Sequence, residues 1–510
     1  MKQIFLCMFL QLIAALYAPG AQFPKSLRAK ITISPEIKKV YKSGGRLILF
    51  ITANPIDTVK LIGSGGITVA ATPKNWDISK PLSIDIKDGE VDVFGKETQI
   101  SEDKKYNILL VYRQNFDESQ YIAEGNLFCK IDSVRFTSDI SLNLNLNKIT
   151  GSLHVADHLF VKQIVLQSKI LTKWRGRPAS LKAGILLPSG YFKNPDARYP
   201  VCYSFPGLTT RFTRVNGFVT SKRFSEWWFS GDAPQIIYVI VDSEGSYGNT
   251  YQVDSENNGP CGRALTEELI PDIEKQFRGD SNPSTRFLTG CSTGGWIAFA
   301  LQIYYPDFFN GTWAYSPDPL DFEHFGLINI YADKTVFYNK FGYLQPDSRT
   351  VYGEPTLSMQ KKIETENMTG KIGGLSNNYS TSGGAFGAYN AVYSPKGKNG
   401  LPALMFDPLD GTIDSSVVKH WEKYDLKKYI KNNWNELGPK LQGKIWVWSG
   451  DMDRLYSNVA ARFMKEFLEG TVNPHSDAQF YFSQMGEHCG EFDDKEVLLK
   501  IGVKVKQLNK

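Results

Sequence analysis

The pentapeptide Gly290-Cys291-Ser292-Thr293-Gly294 constrains this chain more than any other feature, because of what stands on either side of it. Arg286-Phe287-Leu288-Thr289 reads as a short strand, and residues 296–305 read as an amphipathic helix. A serine between two glycines in a strand–turn–helix passage is forced onto a sharp, strained turn that leaves its hydroxyl exposed. Gly290 and Gly294 let neighbouring backbone come close, and the amide of Thr293, at the start of the helix, can donate to a negatively charged oxygen. A bare G-x-S-x-G arises often by chance; the flanking strand and helix give this one its weight.

The strand needs a sheet to join, and one is legible from about His154 onward. Strand-like runs at 161–167, 183–187, 201–205 and 236–241 alternate with helix-like ones such as 266–277, where Leu269, Ile270, Ile273 and Phe277 recur at helical spacing. Such alternation predicts a mainly parallel sheet with helices on both faces and a site at the carboxyl ends of its strands. Before it, from about Phe23 to Ile149, short alternating runs broken by Gly, Asn, Asp and Pro predict an all-β, sandwich-like accessory domain over 22–150, with no histidine in it. The catalytic domain is then 151–510. Within it, the irregular, Gly- and Asn-rich stretch 318–441 reads as an insertion, either a cap over the site or a surface excursion.

A serine hydroxyl is a weak nucleophile without an adjacent base. Of the six histidines, His488 comes last, in Gly486-Glu487-His488-Cys489-Gly490 after the strand-like 479–482. In a serine–acid–histidine chain order the base belongs there. His475 beside Pro474 reads as a loop residue, His324 and His420 lie in the insertion, and His154 and His158 precede the core. The acid belongs in a turn after a strand between Ser292 and His488. The run 444–449 followed by Gly450-Asp451-Met452-Asp453 supplies one, with Asp453 the first choice, Asp451 its neighbour in the same turn, and Asp318 of Ser316-Pro317-Asp318-Pro319 a third option. Its task is to fix the imidazole tautomer and stabilise the imidazolium.

Residues 1–21 read as a signal peptide: Lys2, an apolar stretch over 4–17, then Ala18-Pro19-Gly20-Ala21. The stretch is short for a membrane span of roughly 20 residues; an uncleaved N-terminal anchor is the alternative. A secreted or periplasmic protein without integral membrane association is therefore expected. With 58 basic and 53 acidic residues, a net charge of +5 and no basic run, nucleic acid is not an expected partner. Export leaves Cys129, Cys202, Cys261, Cys291 and Cys489, enough for two disulfides and one thiol, with no zinc spacing. Cys291 precedes Ser292 and Cys489 follows His488, so assembly of the triad would bring the two close. Bridging them needs Cα atoms within about 7 Å; otherwise they are two unrelated buried thiols.

From about Val161 to the C-terminus, interrupted by the insertion, the chain resembles the α/β-hydrolase esterase family that includes esterase D, feruloyl esterases and mycolyltransferases. Leu187-Pro188-Ser189-Gly190-Tyr191, Tyr199-Pro200-Val201, the loop 242–259, Glu267-Glu268-Leu269-Ile270-Pro271-Asp272-Ile273-Glu274 and the triad turns carry the likeness. The Cys-Ser and His-Cys neighbours are similar to those of tannases and fungal feruloyl esterases, where the resemblance implies a disulfide. It further implies a serine esterase without cofactor or metal, acting on a small-molecule or polysaccharide-linked ester, with acyl or feruloyl groups on carbohydrates as one class. One departure stands out: family members often carry His-Gly where this chain has Phe205-Pro206-Gly207-Leu208-Thr209, so the second oxyanion donor is assigned to the amide of Leu208. The acidic and amide-rich loop 243–259 is read as polar and substrate-facing, with a calcium site as the alternative. Two rival functions are a serine peptidase on the same fold and a carbohydrate-binding protein with a decayed hydrolase domain.

Overall fold

The computed structural model describes residues 24, 26–56, 66–95, 100–136, 139–370 and 378–508; the expected signal segment lies outside them. Those residues fall into two compact units. One takes in the described residues up to Phe116 and Tyr121–Ser152; the other takes in Asp117–Gln120, Leu153–Gly370 and the chain from Asn378 on.

The first unit is built from two sheets. A three-stranded one has Ser26–Ile33 between Leu82–Asp85 and Asp139–Leu146, and a six-stranded one is centred on Arg46–Thr52 and Tyr106–Arg113. Asp139–Leu146 alternates exposed and buried residues without a break, as a period-2 strand with one wetted face must. Its Ile140, Leu142, Leu144 and Leu146 join Leu47, Leu49 and Ile51 of the other sheet in one core. This is the sandwich that the alternating runs predicted.

The second unit holds an eight-stranded sheet: β1 (Val161–Gln167), β2 (Ser180–Leu186), β3 (Val201–Phe205), β4 (Ile237–Val241), β5 (Arg286–Cys291), β6 (Thr312–Tyr315), β7 (Ile445–Gly450) and β8 (Gln479–Ser483), in the order β1-β2-β4-β3-β5-β6-β7-β8. Only β2 runs antiparallel to its neighbours β1 and β4; β4-β3-β5-β6-β7-β8 are parallel. The central strands are buried throughout because both faces are covered. Tyr203, Val239 and Leu288 point into one core while Cys202, Tyr238, Ile240 and Phe287 point into the other. The fold is an α/β hydrolase, preceded in the chain by an all-β region.

Three local outcomes differ from the sequence reading. The helix after β5, α1 (Thr293–Tyr304), is buried from Thr293 to Ile303 rather than amphipathic. It carries core residues on every side, and residues from the stretch expected as an insertion, Tyr393 and Ala388 among them, share its core. That stretch contains α2 (Ala385–Tyr393), and its last segment is α3 (Leu426–Leu441), which packs against α1. A parallel β6-to-β7 connection requires a crossover, and α3 supplies it. The predicted helix 266–277 begins earlier, at Cys261, and passes through a π-helical turn at Leu265–Leu269 before Ile270–Gln276. Pro271 has no N–H to give to the α-helical ladder, so the wider turn falls where an α-turn would lack a donor.

Candidate active site

β5 and α1 meet at Ser292, whose backbone stands at φ 60°, ψ −127°, outside the regions that ordinary L-residues favour. The amide of Ser292 donates to Tyr315 O at 2.9 Å and the carbonyl accepts from Trp296 N, fixing the turn between β6 and the helix. The two glycines are required by space. A Cβ on Gly290 would stand 2.3 Å from Gly294 O and 2.6 Å from Phe205 O, and one on Gly294 would strike Phe205 O as well. Thr293 opens the helix, so its N–H lies beyond the intrahelical ladder. Gly207, after β3, comes so close that an added Cβ would lie 3.7 Å from the Cβ of Ser292. That proximity brings the Gly207-Leu208 segment close to Ser292.

His488 and Asp453 meet. The Nδ1 of His488 lies 2.7 Å from Asp453 Oδ2, with the two side chains 6% and 0% exposed. The other carboxylate oxygen accepts from Leu455 N at 2.8 Å, and His488 Nε2 has no hydrogen-bond partner among the described residues. The acid turn and the histidine loop are laced together by their backbones, with Asp451 N donating to Ser483 O and Met452 N to Gly486 O, both at 3.0 Å. Gly450 is needed there, since a Cβ would come within 2.2 Å of Gly486 O. A disulfide joins Cys291 to Cys489 with Cα atoms 6.0 Å apart, across a separation of 198 residues. Cys489 N also donates to Ser316 Oγ at 3.0 Å, holding the loop that carries the imidazole.

The two other candidate acids do not take the acid's place. Asp451 turns outward and pairs with Arg462, its side chain 34% exposed. Asp318 is 3% exposed but belongs to a different set of partners: Tyr251 Oη donates to its Oδ2 at 2.6 Å and Thr293 Oγ1 donates at 2.9 Å. Its Oδ1 lies 3.5 Å from Ser292 Oγ. Burial raises the Asp318 carboxyl above its ordinary range, against the lowering effect of the hydrogen bonds from Tyr251 and Thr293 and of the charge of His488. Ser292 therefore rests with its hydroxyl toward one buried carboxyl group while the histidine is oriented by another.

Residues 178–496, more than half of the chain, match the family described as "Putative esterase". The chain belongs to that family. It is a carboxylic ester hydrolase. No curated protein matches this esterase. Among solved structures, it is similar to a ferulic acid esterase at 16% identity, covering 68% of this chain and 97% of the other with a TM-score of 0.41. It is also similar to an S-formylglutathione hydrolase from Agrobacterium tumefaciens at 13% identity, covering 69% and 96% with a TM-score of 0.38. A third is the fluorophosphonate-binding serine hydrolase FphF of Staphylococcus aureus, at 14% identity, covering 68% and 98% with a TM-score of 0.36.

The esterase's remaining sequence candidates resolve as follows. Much of the polar loop 243–259 is tied to protein: Glu244 accepts from Ser119, Asp254 from Arg263 N, and Asn257 donates to Ala391 O and Ser394 O, while Asn257 Oδ1 and Asn258 Nδ2 have no hydrogen-bond partner among the described residues. Asp321, Glu323 and His324 lie together, but Lys427 Nζ sits between the two acids at 2.6 and 3.2 Å, where its ammonium already satisfies them. Cys129, Cys202 and Cys261 are unbridged and buried. Burial pushes the Cys129 thiol up to about 11 and the Cys261 thiol up to about 12, so both remain protonated at neutral pH. Sequence reasoning missed Arg349, which donates to the carbonyls of Asp453 (3.0 Å) and Asp451 (3.1 Å) and so braces the acid turn. It missed Tyr251 as well. A lone Arg in an irregular stretch and a Tyr in a polar loop carry no pattern that could single them out.

Proposed function

We propose that this esterase is an exported serine hydrolase in which Ser292 is the nucleophile, His488 the general base and Asp453 the acid that orients it. The observation that carries the reading is the joint one: a serine in a strained backbone conformation, linked through its Cys291 neighbour to the loop of a buried histidine whose Nδ1 is held by a buried carboxylate. In the reaction the Ser292 hydroxyl turns from Asp318 toward Nε2, which takes its proton as the oxygen attacks the ester carbonyl. Such hydrogen bonds are commonly long before substrate is bound. The amides of Thr293 and Leu208 hold the oxyanion, the alcohol leaves with the proton from the imidazolium, and water hydrolyses the acyl-serine by the same route in reverse. Acyl or feruloyl groups on carbohydrates are the substrates proposed first.

The test is Ser292→Ala assayed on p-nitrophenyl acetate and on acetylated and feruloylated oligosaccharides, together with a fluorophosphonate probe mapped to its site. Turnover should fall by at least about ten-thousandfold, and the probe should label Ser292 of the native chain. Undiminished turnover in the variant would end the assignment. Faster cleavage of peptide anilides than of any ester would move the substrate class to peptides.

A further inference from the structure

The strands Tyr106–Arg113 and Leu127–Val134 belong to the first unit, yet Asp117–Gln120, in the connection between them, belongs to the hydrolase unit. Three of the four, Glu118, Ser119 and Gln120, bind the loops that follow β3 and β4. Gln120 Nε2 donates to Thr209 O at 2.8 Å and to Glu244 Oε2 at 3.1 Å. Ser119 donates through its amide (2.8 Å) and hydroxyl (2.6 Å) to Glu244 Oε1, and its amide also reaches Gly245 O at 3.0 Å. Glu118 accepts from Lys182 at 2.7 Å and from Arg211 at 2.9 Å, and the rest of the Arg211 guanidinium grips Asp242 with two bonds of 2.8 Å. Arg211 is only 4% exposed, so its charge requires both acids.

What these contacts hold is the stretch Gly207-Leu208-Thr209-Thr210-Arg211. Thr209 stands at φ 67°, a left-handed conformation unfavourable for a β-branched residue, and its carbonyl is the one that Gln120 anchors. Thr210 N closes the turn onto Gly207 O at 3.1 Å. The loop is thus pinned just after the position of the Leu208 amide, at Thr209 and Arg211, by side chains from residues some ninety places earlier in the chain.

We propose that Gln120 and Glu118 are positioning residues for the oxyanion hole: through Thr209 and Arg211 they set where the Leu208 N–H points. The proposal rests on the reading of Leu208 as the second oxyanion donor. An oxyanion donor acts only if it is aimed at the oxygen of the transition state, and misplacement by about 1 Å costs on the order of a hundredfold in rate.

The experiment uses the full chain carrying Gln120→Ala or Glu118→Gln, with Ser292→Ala and Ser26→Ala as controls. Each is assayed for kcat and KM on p-nitrophenyl acetate and for inhibition by an aryl trifluoromethyl ketone, which forms the oxyanion as a hemiketal on Ser292. Gln120→Ala should lower kcat by about ten- to a hundredfold with KM within about twofold, and weaken the ketone by the same factor. Glu118→Gln, which keeps the shape but leaves Arg211 with one carboxylate, should do so by about fivefold. Ser26→Ala, at the hydrogen bond to Asp139 in the first unit, should change neither. Unchanged kcat in both variants, or a loss of kcat without a matching loss of ketone affinity, would overturn the proposal. Turnover retained by Ser292→Ala, or a native enzyme insensitive to the ketone, would instead bring down the triad and oxyanion reading beneath it.

Discussion

Two turns, one after β6 and one after β7, each bury a carboxyl group almost completely: Asp318 is 3% exposed and Asp453 0%. Their partners set them apart. Asp453 meets an imidazole nitrogen and a backbone amide, whereas Asp318 meets the hydroxyls of Tyr251, Thr293 and Ser292. Only the first arrangement can fix a histidine tautomer. The second gives a carboxyl that burial holds toward its neutral form and that gathers the residues around the elbow. Burial alone does not let a carboxylate orient a histidine; the identity of the donor facing it does.

The sharpest way to break this contrast is Asp453→Asn, which should lower kcat by about ten-thousandfold while leaving KM nearly unchanged, because the amide favours the wrong tautomer of His488. If steady-state kinetics showed a loss of less than about tenfold, Asp318 would have to be the acid after all. Removing the disulfide by converting Cys291 and Cys489 to serine should lower kcat by about ten- to a hundredfold and lower the melting temperature as well. Reduction of the native protein should reproduce both changes, and an unaltered rate would mean that the backbone bonds between the two loops position the imidazole unaided.

Asp318→Asn should have the smallest effect on rate, about tenfold, since the Oδ1 of Asp318 only approaches Ser292 Oγ, at 3.5 Å, and has no bond to His488. Its effect on stability has the opposite sign. The carboxyl is raised above its unfolded value in the native state, so its favourable contribution is complete below the ordinary carboxylate range and is lost as the pH rises through the raised value. The asparagine variant escapes that loss. Its melting temperature should exceed that of the native protein at neutral pH, and the gap should close as the pH falls below the ordinary carboxylate range. Calorimetry across pH checks this, and a gap that does not vary with pH would show that the charge of Asp318 is not what the fold opposes.

Much of the contrast was already readable in the chain. The strand–Gly–Ser–Gly–helix passage, the order of Ser292, Asp453 and His488, and the pairing of Cys291 with Cys489 all rest on local pattern or on adjacency to a residue already placed. Asp318 stood out for its turn, but the choice among three aspartates could be ranked and not decided, since all three occupy turns that follow strands. Arg349 and Gln120 gave no signal, because each acts on a backbone carbonyl roughly ninety to a hundred residues away: Asp453 O for one, Thr209 O for the other.

The amino-acid sequence by itself determined the sheet, the elbow and the candidate triad, since alternation of apolar residues, glycine spacing and turn residues act within a few positions of one another. Only the tertiary structure decided which carboxylate faces the imidazole and which faces Ser292, and which distant side chains grip the β3 loop. Those choices depend on where strands that are far apart in the chain end in space, and on which hydrogen-bond donors remain within about 3 Å of a buried oxygen once the core has closed.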